Sequence, residues 1–234
     1  MKKKICIGLV VILLPVIIVT LTLVGSGVTQ QKSIEWVEAN NGTVEFEMKS
    51  WADSIPFEKT KNLVGKQIIS VSLRDAKVAG LMKLEVFLEC EKLVIENCEI
   101  TDYSSIGKLK NIKSLHFLNS NIKDLKFLKE LTDLEYLELT NSSVDDLSAL
   151  EDLQKLKVVN LKGTEVASIV PLKDLGQMEV LDLTATKVEN ILPLQTVKTL
   201  KNLNIGDTKV SQPQIIYLQK ALQNCEITST SEQL

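Results

Sequence analysis

Aromatic side chains make up 4% of this 234-residue chain: five Phe, three Tyr and two Trp. A core built from it must be filled by Leu, Ile and Val, which suits a thin layered fold. Histidine is confined to His116, and no Gly-rich loop that could cradle phosphates is present. The four cysteines are Cys6, Cys90, Cys98 and Cys225, at spacings that do not match a zinc site. Excess positive charge is missing too. The net charge of −3 argues against broad phosphate-backbone binding, which needs clustered Lys and Arg. Acidic residues such as Asp145-Asp146 and Glu151-Asp152 are scattered, whereas calcium needs several oxygens converging on one point. These absences predict a protein that is not an enzyme. No catalytic residue, cofactor, metal, nucleic acid or small-molecule substrate is expected.

What is present is a repeat. An apolar residue recurs at a spacing of 22 at Val71, Leu93, Leu115, Leu137, Val159, Leu181, Leu203 and Cys225. Each is followed two residues later by another, from Leu73 to Ile227. A fixed period of this length means stacked identical units. Within one unit, Leu137 and Leu139 alternate as on a strand with one buried face. Val144 follows, then Leu147, Leu150, Leu153 and Leu156 at steps of three. That spacing fits tight 3₁₀-like turns better than an α-helix. Only Pro213 and Gln219 break the seven apolar columns, and both lie in the last complete unit, where a cap belongs. A further column is small throughout: Ala76, Cys98, Ser120, Ser142, Thr164, Thr186, Thr208. Hydroxyls there can bond the backbone where the chain leaves the strand. Cys90, Cys98 and Cys225 fall in core columns and read as buried small residues, although Cys90 and Cys98 flank one strand and a disulfide between them stays open.

The pattern Leu181-Asp182-Leu183-Thr184-Ala185-Thr186-Lys187-Val188, with its leucines at steps of three, resembles bacterial leucine-rich repeats of the 22-residue, internalin-like kind. The usual Asn of the turn column is replaced by Thr, Ser, Cys or Ala. The resemblance implies an α/β leucine-rich repeat solenoid, with a parallel concave β-sheet and a convex side of 3₁₀ or short helices. It also implies a protein-binding role.

Four segments are expected: an anchor or signal segment at 1–27, a linker and N-terminal cap at 28–67, the solenoid at 68–227 and a tail at 228–234. Lys2, Lys3 and Lys4 precede an uncharged run from Ile5 to Val24, long enough to cross a bilayer core of about 30 Å. The lysines favour a cytoplasmic N-terminus, with the repeats outside the cytoplasmic membrane. Val24-Gly25-Ser26-Gly27 also offers a cleavage site, so secretion after signal removal is the alternative. In the cap, Ser33–Ala39 reads as a short helix and Thr43–Met48 as a strand, with Trp36 and Trp51 nearby, and Phe57–Lys66 as helical or irregular. Lys108, Lys110, Lys113, Lys123, Lys126 and Lys129 fall between core positions and read as a solvated convex face.

Residues flanking the strand core form ladders down the concave sheet. The central ladder runs Ser72, Val94, His116, Glu138, Asn160, Asp182, Asn204, Glu226, and His116 reads as an exposed residue without a constellation around it. Beside it run Ser70, Lys92, Ser114, Tyr136, Val158, Val180 and Asn202. Tyr136, Val158 and Val180 place apolar groups on three neighbouring strands, with Leu118 nearby, rimmed by Glu138, Asn160 and Asp182. These seven are the candidate site for a protein partner at the cell envelope. The alternative is a structural role, in self-assembly or cell-wall polymer binding.

Overall fold

The computed structural model describes residues 29–48 and 66–230. The apolar run Ile5–Val24, Trp51 and residues 57–65 lie outside them. Among the described residues, no helix is long and apolar enough to cross a membrane.

Residues 29–39 form a helix, α1, already under way before Ser33, with Ile34 and Val37 buried in the core. Strand β1 (Gly42–Met48) follows a turn in which Asn41 takes a left-handed φ of 56°. It pairs antiparallel with β2 (Lys66–Arg74). From there the chain coils regularly. The strands β4 (Lys92–Glu96), β6 (Ser114–Leu118), β7 (Tyr136–Glu138), β8 (Val158–Asn160), β9 (Val180–Asp182), β10 (Asn202–Asn204) and β11 (Glu226–Thr228) extend one sheet in that order from β2, all parallel. Two short strands, β3 (Lys77–Gly80) and β5 (Glu99–Asp102), pair separately in the first coils. The returns are 3₁₀ turns, such as Met82–Val86, Lys126–Glu130 and Leu192–Thr196. The spacing of three thus emerges as read, because side chains three apart eclipse on a 3₁₀ helix.

One continuous core runs through the stack, in which Leu137, Leu139, Val144, Leu150, Leu153 and Leu156 are all fully buried. Cys90, Cys98 and Cys225 are buried within it as free thiols. Burial pushes the Cys90 thiol up to about 12 and Cys225 up to about 11.

The last coil departs from the period of 22. Its return is an α-helix, α2 (Gln212–Ala221), with Pro213 in the first turn, where a missing N–H leaves nothing unsatisfied. An α-helix rises about 1.5 Å per residue against about 2.0 Å for a 3₁₀ helix, so the same return consumes more residues. The strand after it slips: Asn202 aligns with Glu226 and Leu203 with Ile227, an offset of 24. Glu226 therefore joins the ladder of Tyr136, Val158 and Val180 and leaves the central one to Thr228. The helix also re-aims side chains. Ile215 and Leu218 are buried, whereas Ile216, in core register by threes, is 48% exposed. Gln219 donates from Nε2 to the Cys225 carbonyl at 2.9 Å, so its break in the apolar column satisfies a backbone acceptor.

Polar columns tie neighbouring coils together. Thr164, Thr186 and Thr208 each donate to the carbonyl three residues back at 2.7 Å, as the small column led us to expect. The buried hydroxyls of Ser120 and Ser142 have no such partner. One position earlier runs a column with left-handed backbone: Asp75, Asn97, Asn119, Asn141, Gly163, Ala185 and Asp207. Asn97 donates to Asp75, Asn119 to Asn97 and Asn141 to Asn119 at 2.9–3.1 Å, an amide ladder that stops at Gly163. On the other margin of the sheet the sequence alternates Glu91, Lys113, Glu135, Lys157, Glu179, Lys201. Each lysine bonds the glutamate of the coil before it, at 2.9, 2.6 and 2.8 Å. Lys113 thus belongs to this margin and not to the convex face. On the convex side Lys108 pairs with Glu85, Lys110 with Glu130, Lys123 with Asp145 and Lys126 with Asp124.

Candidate functional site

The concave sheet surface is the side of β2, β4 and β6–β11 opposite the core. Tyr136, Val158 and Val180 are register partners on β7, β8 and β9, half-buried and contiguous. Glu138, Asn160 and Asp182 align in the same way one ladder over. Leu118 is half-buried at the end of β6, aligned with Glu96 on β4. The His116–Glu138 ladder lies between it and Tyr136, so Leu118 is not continuous with the other three.

His116 has close partners, which overturns its reading as an isolated surface residue. Ser114 Oγ lies 2.8 Å from its Nε2, and Glu138 Oε2 lies 2.9 Å from its Nδ1. Its ring stacks on Tyr136, centroids 4.8 Å apart. Glu138 Oε1 accepts from Thr140 Oγ1 at 3.1 Å and Asn160 Nδ2 at 3.3 Å, and Tyr136 OH reaches Oε2 at 3.5 Å. Burial, reinforced by the Glu138 charge, holds the Tyr136 phenol above its ordinary range. The signal was present in the numbering. Ser114 and His116 share a strand face, and Glu138 lies one period beyond His116. The period that built the fold also brings these groups together.

Ser114, His116 and Glu138 repeat the hydroxyl–imidazole–carboxylate connectivity that activates serine nucleophiles. Acyl transfer also needs donors aimed at a developing oxyanion. Here the N–H groups of Lys113 and Ser114 both turn to the Glu91 carbonyl, as the sheet requires. The network's evident effect is to lock Tyr136 and Glu138 into one arrangement. A rigid aromatic beside a fixed carboxylate suits recognition, because little side-chain entropy remains to be lost on binding. Among the described residues, no group of His, Cys, Asp and Glu is arranged to hold a metal.

The parallel sheet with its 3₁₀ returns is a fold of the leucine-rich repeat type. Similar solved structures are an internalin (inlF) from Listeria monocytogenes, with TM-score 0.63 and 22% identity, covering 71% of this chain and 51% of that one. Internalin C2 of the same organism follows, with TM-score 0.58 and 21% identity over 72% of this chain and 87% of that one. A leucine-rich repeat protein of Leptospira interrogans has TM-score 0.58 and 18% identity over 68% and 48%. At these identities the likeness is one of fold, and this chain spans about half the length of the first and third. No family model matches the chain, and no curated protein matches its sequence.

Proposed function

We propose that the chain is a non-enzymatic, membrane-anchored leucine-rich repeat protein that binds a protein partner through its concave face at the cell envelope. The observation that carries this reading is the continuous Tyr136–Val158–Val180 surface, backed by the fixed Glu138 network. An aromatic anchor with a polar, pre-ordered rim is the composition of a binding hot spot. Ile5–Val24 and the lysines before it support a single-pass anchor with the repeats on the outer side of the cytoplasmic membrane.

The test is site-specific photocrosslinking in intact cells. A photoreactive residue at Tyr136 or Val158 should trap a discrete protein, whereas the same residue at Val170, 50% exposed on the convex side, should not. Trapping from Val170 alone would move the site off the concave face. External protease added to the same cells should digest the repeats; protection until the membrane is breached refutes the topology.

A further inference from the structure

The slip of β11 gives the concave face a feature that a uniform period of 22 hides. Glu226 stands in line with Asn202, Val180, Val158 and Tyr136. Asp182 sits two residues beyond Val180 on the same strand face. The sheet surface between the two carboxylates is a shallow depression of about 360 Å³ lined by Val180, Asp182, Asn202, Asn204, Glu226 and Thr228. Along one line the surface therefore changes from aromatic and aliphatic to acidic.

These carboxylates differ from their neighbours. On the sheet margin Glu179 is matched by Lys201, which is thereby committed. Asp182 accepts one hydrogen bond, from the Thr184 N–H to Oδ1 at 2.8 Å, and forms no ion pair among the described residues. The Glu226 carboxylate has neither an ion pair nor a hydrogen bond among them. Asn204, between the two strands, turns its Oδ1 to the Gly206 N–H. Among the described residues, two negative charges thus have no cationic partner beside an apolar strip.

We propose that this end of the concave face takes an extended, basic segment of a protein partner. A Lys or Arg side chain would lie over Asn202, between Asp182 and Glu226, and an aliphatic side chain over Val158 and Val180. This rests on the concave-face reading above and gives it a partner chemistry. The spacing follows from the sheet. Strands lie about 4.8 Å apart, so the centre of the valine pair is about 7 Å from Asn202. Residues i and i+2 of an extended chain share a face and are also about 7 Å apart. The recognised pattern is a cation two positions from Val, Ile or Leu, with a further side chain two positions on reaching Tyr136.

The test pans a displayed random-peptide library against the full chain in detergent micelles. Enriched peptides are then measured by fluorescence anisotropy on wild type, on Asp182→Asn/Glu226→Gln, and on Tyr136→Ser/Val158→Ser/Val180→Ser. The first variant keeps every heavy-atom shape, including the Oδ1 that accepts from Thr184, so its urea midpoint should match wild type. Lys or Arg two positions from an aliphatic residue should be enriched, and those peptides should bind each variant at least about tenfold more weakly. Binders without a basic residue, or binders indifferent to Asp182→Asn/Glu226→Gln but lost with the triple Ser variant, overturn this proposal and leave the concave-face reading standing. Binders indifferent to both variants overturn both, and no enrichment at all overturns the basic-segment proposal.

Discussion

Replacing Gly163 by Ala is the sharpest probe of how the coils are locked. Gly163 has φ +70°, and a Cβ there would stand 2.2 Å from Asn141 Oδ1, the end of the amide ladder. Two effects add. An L-residue in the left-handed region costs about 1–2 kcal/mol, partly offset by the unfolded-chain entropy that Ala removes, about 0.4–1 kcal/mol. Asn141 must also rotate, losing its 2.9 Å bond to Asn119, a further ~1 kcal/mol. The expected loss is about 2 kcal/mol in total. Ala185 occupies the same column with φ 55°, so Ala185→Gly relieves the backbone term alone and should change stability by under about 1 kcal/mol. Urea unfolding followed by far-UV circular dichroism reads these differences, provided the denaturant slopes stay equal. The decisive arm is a cycle. With Asn141→Gly already in place the clash is gone, and Gly163→Ala should then cost about half as much. An equal cost in both backgrounds, or an unchanged midpoint for Gly163→Ala alone, would refute the reasoning.

Leu181→Ala, at a fully buried position, should lower stability by about 2–5 kcal/mol in the same assay. Ser142→Ala removes a buried hydroxyl that has no partner among the described residues and should be neutral or stabilising, whereas Thr186→Val takes from the Leu183 carbonyl one of its two donors, leaving the Thr186 N–H, and should cost about 1 kcal/mol. Folded Cys90 ionises only near 12 because it is buried, while the unfolded thiol does so near its ordinary 9.0. Stability should therefore fall as pH rises through that interval, and iodoacetamide should label Cys90 in urea but not in the native chain. Asp102, Asp124 and Asp146 are held below the usual carboxylate range, chiefly by hydrogen bonds from Ser104, Lys126 and Ser148. Their contribution is present above the ordinary carboxylate pKa and lost as pH drops through the lowered values. Acid titration of the urea midpoint should show that direction, and its absence counts against these turn contacts.

The apolar columns made most of this architecture readable. Leu137, Leu139 and the leucines at steps of three specify a strand and a 3₁₀ return, and identical lengths force strands side by side. That arithmetic also brought Tyr136, Val158 and Val180 together. It failed where length changed meaning. Pro213 marks the end of the pattern, but nothing in the columns shows that an α-helix replaces the 3₁₀ turn, so the period alone assigns Ile216 to the core and Glu226 to the neighbouring ladder. The His116 network is invisible in residue types taken singly. Imidazole, carboxylate and phenol acquire their roles only when strands one period apart are laid beside each other. The left-handed column needed the same step. Asp, Asn, Gly and Ala have little in common as side chains, and they share a backbone requirement that Asn and Gly meet at low cost.

The alternation of Glu91, Lys113, Glu135, Lys157, Glu179 and Lys201 sets a rule for how such a chain can lengthen. By shape the module is one coil, but by charge it is two. Copying a single coil into this stretch would seat a glutamate beside a glutamate or a lysine beside a lysine, with repulsion where there is now attraction. Copying a pair would preserve every one of these charge contacts. Variants grafted from this scaffold should therefore tolerate additions of 44 residues better than additions of 22, an inheritance in doublets that the leucines alone would never reveal.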